Sequence, residues 1–129
     1  MRAFRSPDPA EEGNSRAKAE EFVQYAQAGD VDKMLQITSP LSHATQTDSM
    51  RKLYAEQVVP AFRETTVTWQ AGSKRDFDET DNVGYLFAGV AHGKTTFSFD
   101  VVVMKESGVL YIINIRKHHW YNNNYHWYN

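Results

Sequence analysis

The stretch FSFDVVVMKESGVLYIINIRKH, residues 97–118, consists of two apolar runs on either side of the turn sequence ESG at 106–108. β-Branched and aromatic residues dominate both runs, and such residues favour strands. Glycine adopts the left-handed conformation that a three-residue hairpin loop requires. The stretch therefore predicts an antiparallel hairpin, and the rest of the fold is built outward from it.

A three-residue loop also predicts the register of this hairpin. It places Lys105 opposite Val109 and, counting back along both strands, Asp100 opposite Asn114. One face of the hairpin is then wholly apolar, whereas the face that carries Asp100 mixes apolar with polar side chains.

Two further segments before the hairpin show the same alternation, at 65–78 and 82–93. Turn residues separate them from each other and from the strand at 94–106. Together with a last strand at 108–120, they predict a four-stranded antiparallel meander.

The first helical pattern lies upstream, at residues 16–28, with apolar residues at helical spacing. Ser15 is predicted as its N-cap and Gly29 as the glycine that ends it. Residues 1–14 contain two prolines, a glycine and few apolar side chains, so they predict a flexible N-terminal arm.

Two further helices are predicted before the strands. Asp30 caps the first, over residues 31–37, and the second covers 49–62. Pro60 is expected to kink or finish that helix, because proline lacks an N–H and its ring crowds the preceding turn.

Composition limits the classes of function. A chain of 129 residues with a net charge of -2 predicts one domain with no general attraction to nucleic acid or to an anionic membrane. Without cysteine there is no disulfide or thiolate metal site, and no stretch approaches the ~20 apolar residues that span a bilayer. A cytoplasmic location is favoured, although an exported domain without its signal would give the same features.

Two segments of the chain resemble a known family. AEEFVQYAQAGDVDKMLQI, residues 19–37, and VVVMKESGVLYIINIRKHHW, residues 101–120, stand in the order in which the nuclear transport factor 2-like superfamily places them. The chain resembles that superfamily over residues 15–120. The resemblance implies an α+β fold in which three N-terminal helices pack on a strongly curved four-stranded sheet, forming a cone around a pocket. Residues 121–129 form an aromatic C-terminal extension.

The resemblance implies several functions, since superfamily members include enzymes and non-catalytic proteins. The favoured prediction is a non-catalytic domain, without cofactor or metal, that binds a small apolar ligand or a protein partner and forms a homodimer. The alternative is an enzyme similar to ketosteroid isomerases and polyketide cyclases, with Asp100 as acid and His43 as base in the cone pocket.

Asp100 is the candidate acid because a carboxylate in the middle of an apolar strand is costly to bury without a partner. Ketosteroid isomerases of the superfamily carry the acid of their oxyanion hole at the corresponding distance before the hairpin glycine. Those enzymes also use a tyrosine donor and a general-base carboxylate. Phe22 stands at the position of the tyrosine and Gln46 stands near the position of the base, so two of the three catalytic groups are missing. The structural interpretation of Asp100 is a hydrogen bond to Asn114 or an ion pair with Arg116.

The predicted pocket lining combines aromatic and polar side chains. It consists of Phe22, Tyr25, Tyr54, Trp69, Tyr85, Phe97, Asn114 and Arg116. An aromatic cavity with few polar groups suits a small apolar ligand, and the same residues would form an ordinary core if the cone were filled.

The C-terminal sequence HWYNNNYHW, residues 119–127, is nearly symmetric about Asn123. It predicts a hairpin that pairs Tyr121 with Tyr125 and divides the three tail histidines between two faces, which argues against a three-histidine metal site and leaves a two-histidine site open. Its aromatic surface is predicted to pack on its own domain or on a second copy. The interface candidates are Trp120, Tyr121, Tyr125 and Trp127.

Overall fold

The computed structural model describes residues 9–40, 47–77, 83–118 and 124–126. Helices precede an antiparallel sheet, so the predicted α+β class is confirmed. The helical elements are α1 (Pro9–Ala28), α2 (Val31–Gln36), α3 (Thr47–Leu53), a π-helical turn (Tyr54–Val58) and α4 (Val59–Phe62). The strands are β1 (Thr66–Trp69), β2 (Lys74–Phe77), β3 (Val83–His92), β4 (Thr96–Glu106), β5 (Val109–His118) and β6 (Asn124–His126).

Helix α1 starts earlier than the sequence predicted. It begins at Pro9, so Ser15 lies in its middle and is fully buried instead of capping it. Proline suits the first helical position, and Glu11 and Glu12 in the first turn interact favourably with the helix dipole. The prediction of a flexible arm is therefore wrong for residues 9–14, and its first eight residues lie outside the described part.

The end of α1 and the start of α2 confirm the predicted caps. Gly29 has φ 78°, its N–H donates to Ala26 O at 3.1 Å, and the N–H of Asp30 donates to Tyr25 O at 2.9 Å. These two bonds form a Schellman motif, which needs a left-handed residue at the glycine. The Asp30 carboxylate then accepts the N–H of Lys33 at 3.1 Å.

Pro60 changes the geometry of the third predicted helix. Before it, Val59 N–H donates to Tyr54 O, five residues back, and the backbone widens into the π-helical turn. The wider turn relieves the crowding between the proline ring and the carbonyl of Glu56. Helix α4 ends at Phe62, and Arg63 is extended with φ -61° and ψ 135°. Pro60 was expected to kink or finish this helix; the structure has a π-helical turn directly before it and helical backbone for two more residues, to Phe62.

The sheet follows the predicted meander with two additions. Its strand order is β1-β3-β4-β5-β6, and β2 also pairs with β3. The first predicted segment is interrupted at residues 70–73, so β1 and β2 pair with opposite ends of β3. The short strand β6 adds an edge beyond β5.

The predicted register of the β4–β5 hairpin is wrong. Glu106 lies opposite Val109, and the turn has only two central residues, Ser107 with φ 51° and Gly108 with φ 82°. Two successive positive φ angles are the feature of a type I′ turn, which matches the twist of paired strands. Ser107 adopts the left-handed conformation that the prediction assigns to glycine alone, and the loop is therefore one residue shorter than predicted.

A β-bulge changes the register again further along the same pair. Val103 lies opposite Ile112 but Val102 lies opposite Asn114, so Ile113 is an extra residue in β5. Asp100 consequently lies opposite Arg116, two residues beyond the predicted partner.

The backbone next to the bulge also bonds outside the hairpin. The N–H of Ile112 donates to Ile37 O, and its carbonyl accepts the N–H of Ser39, both at 2.8 Å. The segment after α2 therefore occupies the free edge of β5 beside the bulge and satisfies its polar backbone groups.

The core lies between the helices and one face of the sheet. Phe99, Val101 and Val103 alternate along β4 into this interior and are fully buried. Ile112 and Ile115 join them from β5, on both sides of the bulge. We call this helix-covered side the inner face and the opposite side the outer face.

We expect Gly108→Ala to lower the free energy of unfolding by about 1–2 kcal/mol. At φ 82° the Cβ of an alanine lies too close to its own backbone carbonyl, and glycine has no Cβ. A Cβ at Gly108 would meet nothing within 4 Å, so the cost is one of backbone conformation alone. Urea denaturation measures it.

Gly13→Ala is the matched control. Gly13 is an exposed helical glycine where a Cβ also meets nothing within 4 Å. Alanine there should raise stability by about 0.5–1 kcal/mol. Equal effects of the two substitutions would contradict the turn geometry.

Candidate functional site

The aromatic residues predicted to line a pocket pack against one another in the interior. Phe22 and Tyr54 are fully buried with ring centroids 5.4 Å apart, and Tyr85 and Phe97 are 3% and 5% exposed. Phe62, which the prediction omitted, meets the rings of Phe97 and Phe99 edge-on, and Trp69 meets Phe99 edge-on at 5.2 Å. Tyr25 is partly buried against the same cluster. These contacts are those of a packed core.

The hydroxyl of Tyr54 has a defined partner inside this core. Thr38 Oγ1 donates to Met34 O at 2.8 Å, and it lies 2.8 Å from the Tyr54 hydroxyl. Because the one proton of Thr38 is already used, Tyr54 donates to Thr38. Burial raises the pKa of Tyr54, since the charged phenolate would lose its hydration.

The polar residues of the predicted site lie on the other side of the sheet. Phe99 and Val101 face the core, so Asp100 between them faces outward. Asn114 and Arg116 on β5 pair with Val102 and Asp100 and share this outer face. The structure therefore brings Asp100, Asn114 and Arg116 together but separates them from the aromatic residues.

The partner of Asp100 is His118, which is not among the predicted site residues. His118 Nε2 lies 2.6 Å from Asp100 Oδ2, and the two side chains are 27% and 15% exposed. His118 pairs with Ser98, so it is the diagonal neighbour of Asp100 across the strand pair. An aspartate and a histidine on neighbouring strands were visible in the sequence. Only the register set by the turn and the bulge shows that the two side chains are neighbours.

A cleft of 380 Å³ opens on the outer face beside this group. It lies where residues 70–73 interrupt the first strand and leave the middle of β3 without a full partner. Its lining residues are Gln70, Ala71, Gly72, Ser73, Leu86, Ala88, Asp100 and Arg116. We call it the outer-face cleft.

Helix α1 holds the loop that forms one wall of the outer-face cleft. Arg16 Nη2 donates to Gln70 O at 2.9 Å and to Gly72 O at 2.6 Å, and Ser73 Oγ donates to the Glu12 carboxylate. The Arg16 guanidinium also lies 5.0 Å from the centroid of the Phe87 ring. The wall is thereby fixed to the helix.

A second concavity of 490 Å³ lies on the inner side, at the edge of the helix-covered interior, between α4 and the β3–β4 turn. We call it the cationic groove. Apolar residues lining it are Ala55, Val59, Pro60, Ala61 and Phe97. Polar and charged residues around it are Arg63, Glu64, Thr65, Lys94, Thr95 and Lys117.

Positive charge dominates the rim of the cationic groove. Three cations, Arg63, Lys94 and Lys117, surround it with the single anion Glu64. Within the described part of the chain, none of the three cations forms an ion pair within 4 Å. Lys117 Nζ instead lies 5.0 Å from the centroid of Phe97, over the ring that forms part of the floor.

Several predicted residues cannot be placed. His43, Trp120, Tyr121 and Trp127 lie outside the described residues. Tyr125 belongs to β6.

The predicted hairpin within the tail is corrected by the pairing of β6. Lys117 lies opposite Tyr125 and His118 opposite Asn124, so β6 pairs with the end of β5. The prediction pairs Tyr121 with Tyr125, whereas the described partner of Tyr125 is Lys117; Tyr121 lies outside the described residues. Aromatic residues occur at several positions of this tail. Several alignments of the two strands therefore place aromatic residues opposite one another, and the sequence specifies the register only weakly.

Comparisons with protein-family models, with curated proteins and with solved structures found no match. Among the described residues, no three histidine or acidic side chains are grouped to hold a metal ion. No described helix combines the length and the apolar character needed to cross a bilayer.

We expect the free energy of unfolding to fall as pH rises above 10.0, because Tyr54 stays protonated in the native state while the unfolded chain loses that proton. A raised native pKa means that this contribution is fully present below the unfolded pKa and is lost above it. Denaturation at a series of pH values measures the slope.

Tyr54→Phe is the control variant for this pH dependence. It removes the titrating group while Thr38 keeps its bond to Met34 O, so its slope above pH 10 should be shallower than that of the native chain. Identical slopes would mean that Tyr54 titrates like an exposed tyrosine.

Proposed function

We propose that this chain is a non-catalytic binding domain, and that its ligand is a small molecule with an apolar body and an anionic group, held in the cationic groove. The observation that carries the proposal is the combination of an apolar floor with three cations that have no ion-pair partner in the described structure. The proposal keeps the small apolar ligand of the sequence analysis and adds a charge to it.

The floor of the groove favours an apolar body. Ala55 and Pro60 are exposed and Ala61 is partly exposed, so they present carbon surface to the groove, while Phe97 and Val59 are 5% and 6% exposed and close its floor from below. A ligand covering this surface removes it from water and gains roughly 25 cal/mol for each Å². The groove volume of 490 Å³ is in the range of small-molecule sites.

The rim favours an anion. The chain as a whole carries a net charge of -2, so the three cations around one groove are a local reversal of sign. Lys117 is partly buried beside Phe97, where an opposite charge is screened less than on an open surface. An anionic group lying between Arg63, Lys94 and Lys117 would be stabilised by all three.

We also infer that the fold is a cone of the nuclear transport factor 2-like kind. The support is the order of elements, three helical segments followed by an antiparallel meander, with the helices on one face of the sheet. The cationic groove lies where that face meets α4 and the β3–β4 turn, at the margin of the packed interior.

The enzyme alternative has less support. An isomerase- or cyclase-like mechanism requires Asp100 and a base to face one pocket among the aromatic residues. Asp100 lies on the outer face, bonded to His118, with the sheet between it and the packed interior. A binding function needs no such convergence of acid and base.

We expect decanoate to bind the native chain, and decanol and decyltrimethylammonium to bind more weakly, because only decanoate carries an anion for the rim. Isothermal titration calorimetry measures the three affinities. Lys94→Gln and Lys117→Gln should each weaken decanoate binding roughly 1.5- to 5-fold, the range of a partly exposed ion pair.

Lys52→Gln is the matched control for this experiment. Lys52 is exposed on α3 and does not line the groove, so its removal changes net charge equally but should leave the affinity for decanoate unchanged. Equal binding of decanoate and decyltrimethylammonium would overturn the proposal, as would equal losses in the Lys52 and Lys94 variants.

We further propose that two copies associate through the C-terminal edge of the sheet. Strand β6 is the last strand in the order, and in the described structure no other strand covers its far side. An uncovered edge presents unpaired N–H and C=O groups that a second copy of β6 can satisfy. The aromatic interface candidates Trp120, Tyr121 and Trp127 flank this strand in sequence.

We expect light scattering to give the mass of a dimer for the full chain and of a monomer after deletion of residues 121–129, which removes β6. Deletion of residues 1–8 is the control and should leave the dimer intact. A dimer that persists without the tail would rule out this edge.

A further inference from the structure

We propose that the outer-face cleft is a second binding site, for a small molecule bearing one carboxylate, and that Arg116 is the residue that pairs with it. The site lies on the opposite face of the sheet from the cationic groove. The inference does not depend on the function proposed for that groove.

In the described structure, no ion pair uses the charge of Arg116. Arg116 lies directly opposite Asp100, where an ion pair between the two would be expected. The Asp100 carboxylate instead bonds His118 Nε2 at 2.6 Å. Over the described residues, Arg116 forms no ion pair within 4 Å, so its charge remains available to a ligand.

Hydrogen bonding is also incomplete on β5 beside the outer-face cleft. Arg116 Nε and Asn114 Oδ1 are buried atoms without a hydrogen-bond partner in the described structure. Buried polar atoms in native proteins are nearly always bonded, and an unsatisfied one calls for a partner such as a ligand. The N–H at Arg116 Nε is a donor that a carboxylate can accept, whereas Asn114 Oδ1 is an acceptor outside the cleft lining and adds nothing to the binding of an anion.

The outer-face cleft has a defined shape before any ligand arrives. Its volume is 380 Å³, and Leu86 and Ala88 give it an apolar wall. The opposite wall is the loop at 70–73, which Arg16 holds through two carbonyl oxygens. A ligand would therefore not have to order the loop, which reduces the cost of binding.

The residues of the cleft select the chemical class of the ligand. A guanidinium presents parallel N–H donors that match a planar carboxylate in a two-point contact. Asp100 also lines the cleft, and its negative charge disfavours an anion carrying two charges, such as phosphate. The apolar wall favours a short branched hydrocarbon body beside the carboxylate.

Binding of 3-methylbutanoate to the ¹⁵N-labelled full chain, followed by the amide signals of Leu86 and Ala88, tests the proposal. We expect saturable shifts at these residues. The uncharged amide, 3-methylbutanamide, should bind at least about tenfold more weakly, because it lacks the charge-assisted bonds to Arg116. Inorganic phosphate should also bind more weakly than the carboxylate.

Variants then assign the effect to Arg116. Arg116→Gln should abolish saturable shifts at Leu86 and Ala88, and Arg116→Lys should retain weaker binding, since an ammonium cannot make the two-point contact. Lys52→Gln is the control for loss of one positive charge on an exposed helix, and it should bind like the native chain.

A second route covers the case in which Arg116→Gln does not fold, as judged by circular dichroism. Ala88→Leu keeps Arg116 but fills the cleft, and it should abolish binding of 3-methylbutanoate. Equal affinity for the acid and the amide, binding retained by Arg116→Gln or Ala88→Leu, or shifts confined to the cationic groove would each overturn the proposal.

Discussion

The β-bulge at Ile113 is the constraint on which the rest of the structure depends. Ile112 and Ile115 are three residues apart, so in a regular strand they would face opposite sides of the sheet. The extra residue turns both into the core, where each is fully buried and contributes roughly 1.5–3 kcal/mol. The same shift places Arg116 beside Asp100 on the outer face. One irregular residue thus determines both the packing of the interior and the composition of the polar cluster.

Local sequence patterns predicted the architecture well. Alternation in residues 65–118 gave the meander, and the Gly29–Asp30 pair gave the boundary between α1 and α2, because caps and alternation act over a few residues. The start of α1 was missed for a different reason. Contacts of Glu11 with the Tyr85 hydroxyl and with Lys105 Nζ, both at 3.2 Å, hold a helical turn whose composition alone suggests a loose segment.

The candidate sites were much less predictable. The prediction set Asp100, Asn114 and Arg116 together on the polar face of the hairpin, where the structure also has them, but it counted them among the residues lining the aromatic pocket and omitted His118. A register error of one residue in the turn and another at the bulge changes every cross-strand partner. The cationic groove joins residues from α4, the β3–β4 turn and β5, and no short motif connects positions so far apart.

The contact between Arg16 and the loop at 70–73 couples the N-terminal helix to a surface that the helix itself does not touch. Fraying of the first turns of α1 as far as Arg16 releases Gln70 O and Gly72 O and with them one wall of the outer-face cleft. By linkage, any molecule that requires this wall stabilises the helix end. The stability of the N-terminal turns of α1 therefore depends on what binds to the opposite face of the sheet.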